Sequence, residues 1–485
     1  MSDTIRFILD GAVRELRGVA PTTTVLEWLR ESERRCGTKE GCAEGDCGAC
    51  TVAVGESDGT GGVRYRAINS CIQFLPTLDG KELVTVESLK HKGKLHPAQR
   101  AMVECHGSQC GFCTPGFVMS LFTLYHAETQ PTRETVDDTL AGNLCRCTGY
   151  RPIIEAAQKM RGLGARDQFH ARAPETVAQL AAIARQDTLA IETQDQRYFA
   201  PTNIEEFAAA FAEYPEAVLL GGGTDVGLWV TKQHRHLATL IYTRDVAEMN
   251  RLTVGDEFIE IGGAVPLTDG YRALAAEHAD FGELLRRFAS VQVRNAGTMG
   301  GNVGNASPIG DTPPLLLALG ARLLLRHGPA TRGLPIEDFF LGYRKTALHP
   351  GEFIEAIRIP RATPDLQFRA YKISKRFDQD ISAVCGAFAI RVQGGRVSQV
   401  RLGFGGMAAI PKRAGHAEAA LLGQVWSEAA ARGAMRAMAD DFQPLSDMRA
   451  SADYRLKVAR NLLLKFFLET SKRPGATRVI RRDAA

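Results

Sequence analysis

The residues best placed for chemistry are cysteines. Ten of the eleven lie before residue 148. Cys42, Cys47 and Cys50 form C-x4-C-x2-C, with Cys71 following at a distance. This is the spacing of a plant-type [2Fe–2S] site. Four thiolates must converge on two irons, so a tight loop has to turn three of them inward. Gly41, Gly45 and Gly48 lie among them, and glycine lets backbone N–H groups approach the sulfides. Zinc sites use paired short spacings or histidines, and no histidine lies between residues 1 and 90. Cys36 falls outside the spacing and reads as a bystander.

A second set is Cys110-x2-Cys113 with Cys145-x-Cys147. Two short pairs at two helix ends suit one cluster, and on spacing alone zinc is a rival.

Two glycine-rich segments follow, LLGGGTDVG at 219–227 and GTMGGNVGNASPIGD at 297–311. A strand running into consecutive glycines presents backbone N–H groups to a phosphate, although such clusters are also ordinary turns. Neither is G-x-G-x-x-G or a P-loop, which disfavours Rossmann and Walker sites.

The elements that must hold these residues are legible in outline. Residues 4–18 read as a hairpin turning at Asp10-Gly11, and Thr24-x-x-Glu27 reads as a capping box. Strands are expected at Thr51–Val54, Val63–Ile68 and Leu83–Val86. Pro97 and Pro115 sit where helices open. The expected domains are 1–90, ferredoxin-like; 91–165, helical; a linker at 166–197 with a helix at Pro174–Ala184; 198–365, mixed α/β and glycine-rich; and 366–485. In the last, Gly394-Gly395 joins two strands and Ser451 caps a helix through Asp453–Leu468. The basic tail from Lys472 reads as disordered. The fold class is α+β multidomain.

Apolar residues make up 45%, charged residues 24%, and the net charge is +4. That disfavours nucleic acid and membrane surfaces as partners. No apolar run reaches the roughly 18 residues of a span. The N-terminus lacks the pattern of a secretory signal, so a cytoplasmic location is expected.

Three segments, EGCAEGDCGACTV at 40–52 with its neighbours QCGFCTPGFVMS at 109–120 and GNLCRCTGYRPI at 142–153, closely resemble the xanthine oxidase family of molybdenum hydroxylases. The resemblance implies a β-grasp ferredoxin-like domain holding one [2Fe–2S] cluster on Cys42, Cys47, Cys50 and Cys71. It implies a four-helix bundle holding a second on Cys110, Cys113, Cys145 and Cys147. Cys105 and Cys385 have no ligand role in the pattern and read as buried apolar thiols. The segments 219–227 and 288–311, with FFLGYRKT at 339–346, resemble the family's FAD domain, of the vanillyl-alcohol oxidase type, followed by a C-terminal α+β domain. By position the FAD contacts are Leu219, Leu220, Gly221, Gly222, Gly223, Thr224, Asp225, Val226, Phe288, Thr298, Met299, Gly300, Gly301, Asn302, Asp311, Ile354 and Lys372. Thr298 stands where relatives often carry Ser, and Gly223 where many carry Asn or Ser. Residues 371–381 correspond to a loop beside the flavin that governs access of NAD or oxygen.

No segment resembles the family's molybdenum-binding part. The resemblance therefore implies a large partner chain carrying the molybdopterin cofactor, in a dimer of heterodimers, as in bacterial two-chain members. Hypoxanthine or xanthine is expected to be oxidised there, with electrons crossing both clusters to FAD and then to NAD. No catalytic acid or base is expected in this chain. An aldehyde or N-heterocycle hydroxylase is the alternative within the family. A zinc-stabilised scaffold without flavin is the alternative outside it.

Overall fold

The computed structural model describes residues 2–471, so the tail from Lys472 lies outside the described residues. Two compact units are present. One comprises residues up to Asn250 together with Pro266–Thr268 and Ala289–Thr298; the other comprises Arg251–Val265, Asp269–Phe288 and the chain from Met299 onward.

The first unit begins with β1 (Ile5–Leu9) and β2 (Ala12–Leu16), turned by Asp10 and Gly11, both at positive φ. With β3 (Thr51–Ser57), β4 (Val63–Asn69) and β5 (Glu82–Val84) they form a sheet in the order β2-β1-β5-β3-β4. The β1–β5 pairing is parallel and the others are antiparallel. The Thr24 hydroxyl accepts from the Glu27 N–H at 3.1 Å, as expected of the cap. The helix it starts, α1 (Val25–Glu27), passes at once into a π-helical turn at Trp28–Ser32.

Four helices follow: α2 (Pro97–Glu104), α3 (Thr114–Ala127), α4 (Arg133–Leu140) and α5 (Arg151–Lys159). Pro97 and Pro115 sit in the first turns of α2 and α3, where proline loses no helical hydrogen bond. Ten consecutive residues of α3, Gly116–Tyr125, are buried, which explains its unbroken apolar run.

The segment expected as a linker is structured. Helix α6 runs Gln168–Ile183, starting well before the expected Pro174 because Asp167 caps it through the His170 N–H at 2.9 Å. Strands β6 (Leu189–Glu192) and β7 (Arg197–Ala200) then pair antiparallel. With β8 (Val218–Leu220) and β9 (Thr239–Tyr242) they form a sheet in the order β6-β7-β9-β8. One buried apolar cluster joins this sheet to the first. It includes Phe7, Trp28 and Phe74 alongside Tyr198, Leu220, Tyr242 and Ala296. The compact units therefore divide the chain differently from the expected boundary at residue 198.

In the second unit, the strands Leu252–Val254, Phe258–Gly262, Phe353–Pro360, Arg322–His327 and Ala330–Pro335 form an antiparallel sheet in that order. A four-stranded sheet follows, built on the hairpin Val384–Gln393 and Arg396–Gly405 with Gly394 and Gly395 at its turn. The helix Ala452–Thr470, capped by Ser451, packs Leu463 and Phe466 into its core.

Asp167 also fastens α6 to the helical region. One carboxylate oxygen receives His96 Nε2 at 2.7 Å and His126 Nε2 at 2.8 Å; the other meets His170 Nδ1 at 2.7 Å. Because His96 Nδ1 accepts the Ala98 N–H, His96 Nε2 carries the proton and donates it, leaving no lone pair there for a metal ion. Burial pushes the Asp167 carboxyl up, but hydrogen bonds from His126 and His96 outweigh it and hold the group well below the usual range. Burial also holds His126 below its ordinary value, against the pull of Asp167. The depressed carboxyl stabilises the fold above its unfolded pKa of about 3.9, and that contribution is lost as the pH falls through this region. The depressed imidazole acts in the same direction, because the unfolded chain takes up a proton as the pH falls through about 6.5. Thermal melting should therefore move to lower temperature between pH 7.5 and 5.5. Asp167→Ala should cost roughly 3–5 kcal/mol at pH 7.5, as for breaking a buried charged network. An unchanged melting temperature in that variant would contradict the clasp.

Candidate cluster and flavin sites

The loop carrying Cys42, Cys47 and Cys50 enters β3, and Cys71 leaves β4. The register Thr51↔Asn69 brings these ends together, and Cys50 Sγ lies 3.3 Å from Cys71 Sγ. The Asp46 and Cys47 N–H groups point at Cys42 Sγ, at 3.4 and 3.3 Å. Hydrogen bonds from the Cys47 and Cys71 side chains hold the Cys42 thiol below its ordinary value, while donation to Cys42 and Cys50 pushes Cys71 up. The sulfurs are thus close enough to hydrogen bond to one another, a set suited to thiolate ligation.

The second set sits before two helices. Cys110 and Cys113 precede α3, and Cys145 and Cys147 precede α5. Burial, then hydrogen bonding to Cys145, pushes the Cys113 thiol up to about 12. Burial opposes ionisation of Cys145, but the Thr148 hydroxyl, 3.1 Å away, and its amide, 3.4 Å away, hold that thiol lower. Cys147 hydrogen bonds to Cys110. All eight cysteines are free thiols, gathered in two fours that match the donor set of two [2Fe–2S] clusters. Of the other three, Cys36 is exposed and Cys385 is buried. Cys105 is only half-buried, contrary to expectation, because it ends α2 at its C-cap.

Three backbones meet beside these sites. A Cβ on Gly48 would strike the Gly142 carbonyl oxygen, and one on Gly116 would strike the Gly48 carbonyl oxygen. Gly48 is also at φ +69°. The Leu144 N–H donates to the Cys47 carbonyl at 3.0 Å, tying one cluster loop to the other. Asn143 Nδ2 donates to Gly48 O at 3.0 Å. Sequence reasoning missed Asn143 and its partners Ser120 and Gln292; their only signal was adjacency to the cysteine and glycine words.

The residues expected to hold FAD fall in both units. In the first, β8 leads into Gly221–Val226. A Cβ on Gly222 would collide with the Ala296 carbonyl, and one on Gly221 would lie 2.8 Å from Thr298 Oγ1. The two glycine loops are therefore packed backbone to backbone there. Gly223 stands at φ +73°, a conformation that favours glycine and that asparagine tolerates better than most other residues. In the second unit, Phe288 meets the Tyr271 ring edge-on at 6.2 Å. The Met299 and Gly300 N–H groups are taken by the Val265 and Gly263 carbonyls, each at 2.9 Å, so these two residues do not offer backbone donors to a ligand. Asn302 Oδ1 is buried without a hydrogen-bond partner, as an atom awaiting a ligand would be. Ile354 is buried on its strand. Lys372 Nζ lies 2.5 Å from Asp311 Oδ2, and Ser382 Oγ lies 2.5 Å from Asp311 Oδ1. Both side chains of the ion pair are 2% exposed, so their charges answer each other first. The 371–381 loop is anchored by Arg287, which donates to the Lys372 and Phe377 carbonyls at 2.9 and 3.1 Å and lies over the Phe377 ring.

Comparison with known proteins agrees with this arrangement. Family models match as a 2Fe-2S iron-sulfur cluster binding domain over residues 7–72 and a [2Fe-2S] binding domain over 85–158. They match as the FAD binding domain in molybdopterin dehydrogenase over 191–362 and the CO dehydrogenase flavoprotein C-terminal domain over 369–470. The xanthine dehydrogenase of Emericella nidulans is 34% identical, covering 96% of this chain and 38% of its own length. The xanthine dehydrogenase/oxidase of Rattus norvegicus is 30% identical, covering 98% and 39%. The chain thus spans under half the length of these relatives. Among solved structures, a carbon monoxide dehydrogenase chain from Hydrogenophaga pseudoflava superposes with a TM-score of 0.53 at 28% identity, covering 56% of this chain and 96% of its own. A quinoline 2-oxidoreductase chain from Pseudomonas putida 86 gives 0.51 at 25%, covering 56% and 94%. The chain thus has two [2Fe–2S]-binding domains and one FAD-binding domain, and over these regions it is similar to molybdenum hydroxylases.

Gly222→Ala should lose flavin nearly as completely as Gly222→Asp, with both clusters retained, because the methyl alone meets a backbone carbonyl. Full flavin in the alanine variant, read from the visible spectrum after gel filtration, would show that charge rather than room decides this position.

Proposed function

We propose that the chain is the electron-transfer subunit of a xanthine dehydrogenase and works with a separate large subunit bearing the molybdopterin cofactor. The observation that carries the reading is coverage. The xanthine dehydrogenases of Emericella nidulans and Rattus norvegicus match 96–98% of this chain, across its iron–sulfur and flavin regions alike. The carbon monoxide dehydrogenase and quinoline oxidoreductase chains are matched almost end to end yet cover only 56% of it. A chain that fuses both regions is organised like the former.

On this reading the two clusters supply one-electron steps and FAD joins them to two-electron hydride transfer with NAD. Electrons from hypoxanthine or xanthine, oxidised on the partner, would enter at the second cluster. This chain's side chains hold and tune these groups rather than doing acid–base work. Cys42, Cys47, Cys50 and Cys71 hold one cluster, and Cys110, Cys113, Cys145 and Cys147 the other. The Thr148 hydroxyl supports Cys145, and such hydrogen bonds to sulfur set potential. The flavin contacts expected by resemblance are Leu219–Val226 and Thr298 in the first unit and Phe288, Met299–Asn302, Ile354, Asp311 and Lys372 in the second. Phe112 and Leu144 are 48% and 46% exposed beside the exposed Cys110 and Cys147. An apolar rim around an exposed ligand pair suits a permanent partner interface, here the large subunit in a dimer of heterodimers.

The reconstituted chain alone should oxidise NADH with an artificial dye, and should oxidise xanthine only after the large subunit is added. Xanthine oxidation without a second polypeptide would overturn the two-subunit reading. Dye activity that requires the partner would show that the flavin site is incomplete in this chain. Turnover of quinoline or an aldehyde, but not xanthine, by the assembled enzyme would move it elsewhere in the family.

A further inference from the structure

The first unit contains a buried polar node that neither cluster motif includes, in which the Gln292 amide nitrogen is bonded and its Oε1 has no hydrogen-bond partner. Gln292 is 1% exposed and stands on the short helix Val291–Ala296. Its Nε2 lies 3.2 Å from Thr51 Oγ1, 3.3 Å from Ser120 Oγ and 3.2 Å from Asn143 Oδ1. Those three atoms are bonded in turn. Thr51 Oγ1 donates to Gly48 O at 2.6 Å, Ser120 Oγ donates to Asn143 Oδ1 at 2.6 Å, and Asn143 Nδ2 donates to Thr51 Oγ1 at 3.2 Å and to Gly48 O. Thr51 follows Cys50, and Asn143 precedes Cys145 by two residues. A Cβ on Gly142 would strike Gln292 Oε1, so the amide fills the space that this glycine leaves.

We propose that Gln292 is a positioning residue that sets the geometry between the two cluster loops, using a side chain supplied by the flavin-binding region of the sequence. Its amide bonds to the Cys50 side and the Cys145 side of the node at once, in a buried setting where its loss leaves the Ser120 hydroxyl oxygen without a donor and removes the one link common to both sides. An apolar residue of the same size would keep the packing and release the register. The inference rests on the assignment of the eight cysteines to two clusters.

The test uses the full chain with its clusters loaded. Gln292→Met should retain full iron, sulfide and flavin, yet shift the magnetic splitting between the two reduced clusters in low-temperature electron paramagnetic resonance, together with the midpoint potential of the first cluster. Ser120→Ala, which deletes one partner of Gln292, should produce a smaller shift of the same splitting. Ile153→Val, in a buried position outside the node, should lower the melting temperature and leave the splitting alone. Wild-type splitting and potential in both node variants would overturn the proposal. An equal shift in Ile153→Val would also overturn it, by showing that any loosening suffices. If Gln292→Met does not fold, Ser120→Ala against Ile153→Val decides. Iron analysis separates these outcomes from failure of the cysteine assignment, since a wild-type chain with fewer than two clusters would show no splitting at all.

Discussion

The iron–sulfur half of this chain depends on a place where backbones touch. Gly48, Gly116 and Gly142 come from a cluster loop, a helix start and a second cluster loop; a Cβ on Gly48 or Gly116 would strike backbone, and one on Gly142 would strike the Gln292 amide. Close approach brings the Leu144 N–H onto the Cys47 carbonyl, so the peptide preceding one cluster ligand bonds directly to the carbonyl of another. It also seals Asn143, 2% exposed, into a pocket where every polar partner must be found inside the protein. Side chains between the loops would have separated the two sites by at least their own thickness. Glycine removes that thickness, and the polar node replaces the contacts the absent side chains would have made.

The flavin-binding region repeats the device. Gly222 lies against the Ala296–Gly297 backbone, and the helix that ends at Ala296 sends Gln292 into the iron–sulfur node. One short segment, 289–298, thus serves a glycine loop on one side and two cluster loops on the other. Asn295 Nδ2 adds a 3.0 Å bond to the Ala67 carbonyl on β4. A shift of this segment would be felt at all three places.

How much of this was legible in the sequence follows from what each feature requires. The cysteine sets were readable because metal ligation fixes residue type and spacing together, and a cluster tolerates no substitute. The hairpins at Asp10-Gly11 and Gly394-Gly395 and the caps at Thr24 and Ser451 were readable because their hydrogen bonds are local. The first turns of helix α6, before Pro174, were not legible because its cap, Asp167, draws its support from His96 and His126, 71 and 41 residues away. Gln292 and Ser120 gave no signal beyond adjacency to the cysteine and glycine words, since an isolated amide or hydroxyl has no spacing to recognise. The flavin residues were legible by resemblance rather than by chemistry, and resemblance did not reveal that Asp311 and Lys372 pair with each other or that the Met299 and Gly300 amides are already bonded.

The central claim is that eight of the eleven cysteines hold two [2Fe–2S] clusters in a chain that also binds one FAD. Metal, sulfide and flavin analysis of the purified chain tests it most directly. Four irons, four acid-labile sulfides and one FAD per chain are predicted. Zinc in place of two of the irons would contradict the second cluster, and a chain with full iron but no flavin after reconstitution would contradict the flavin site.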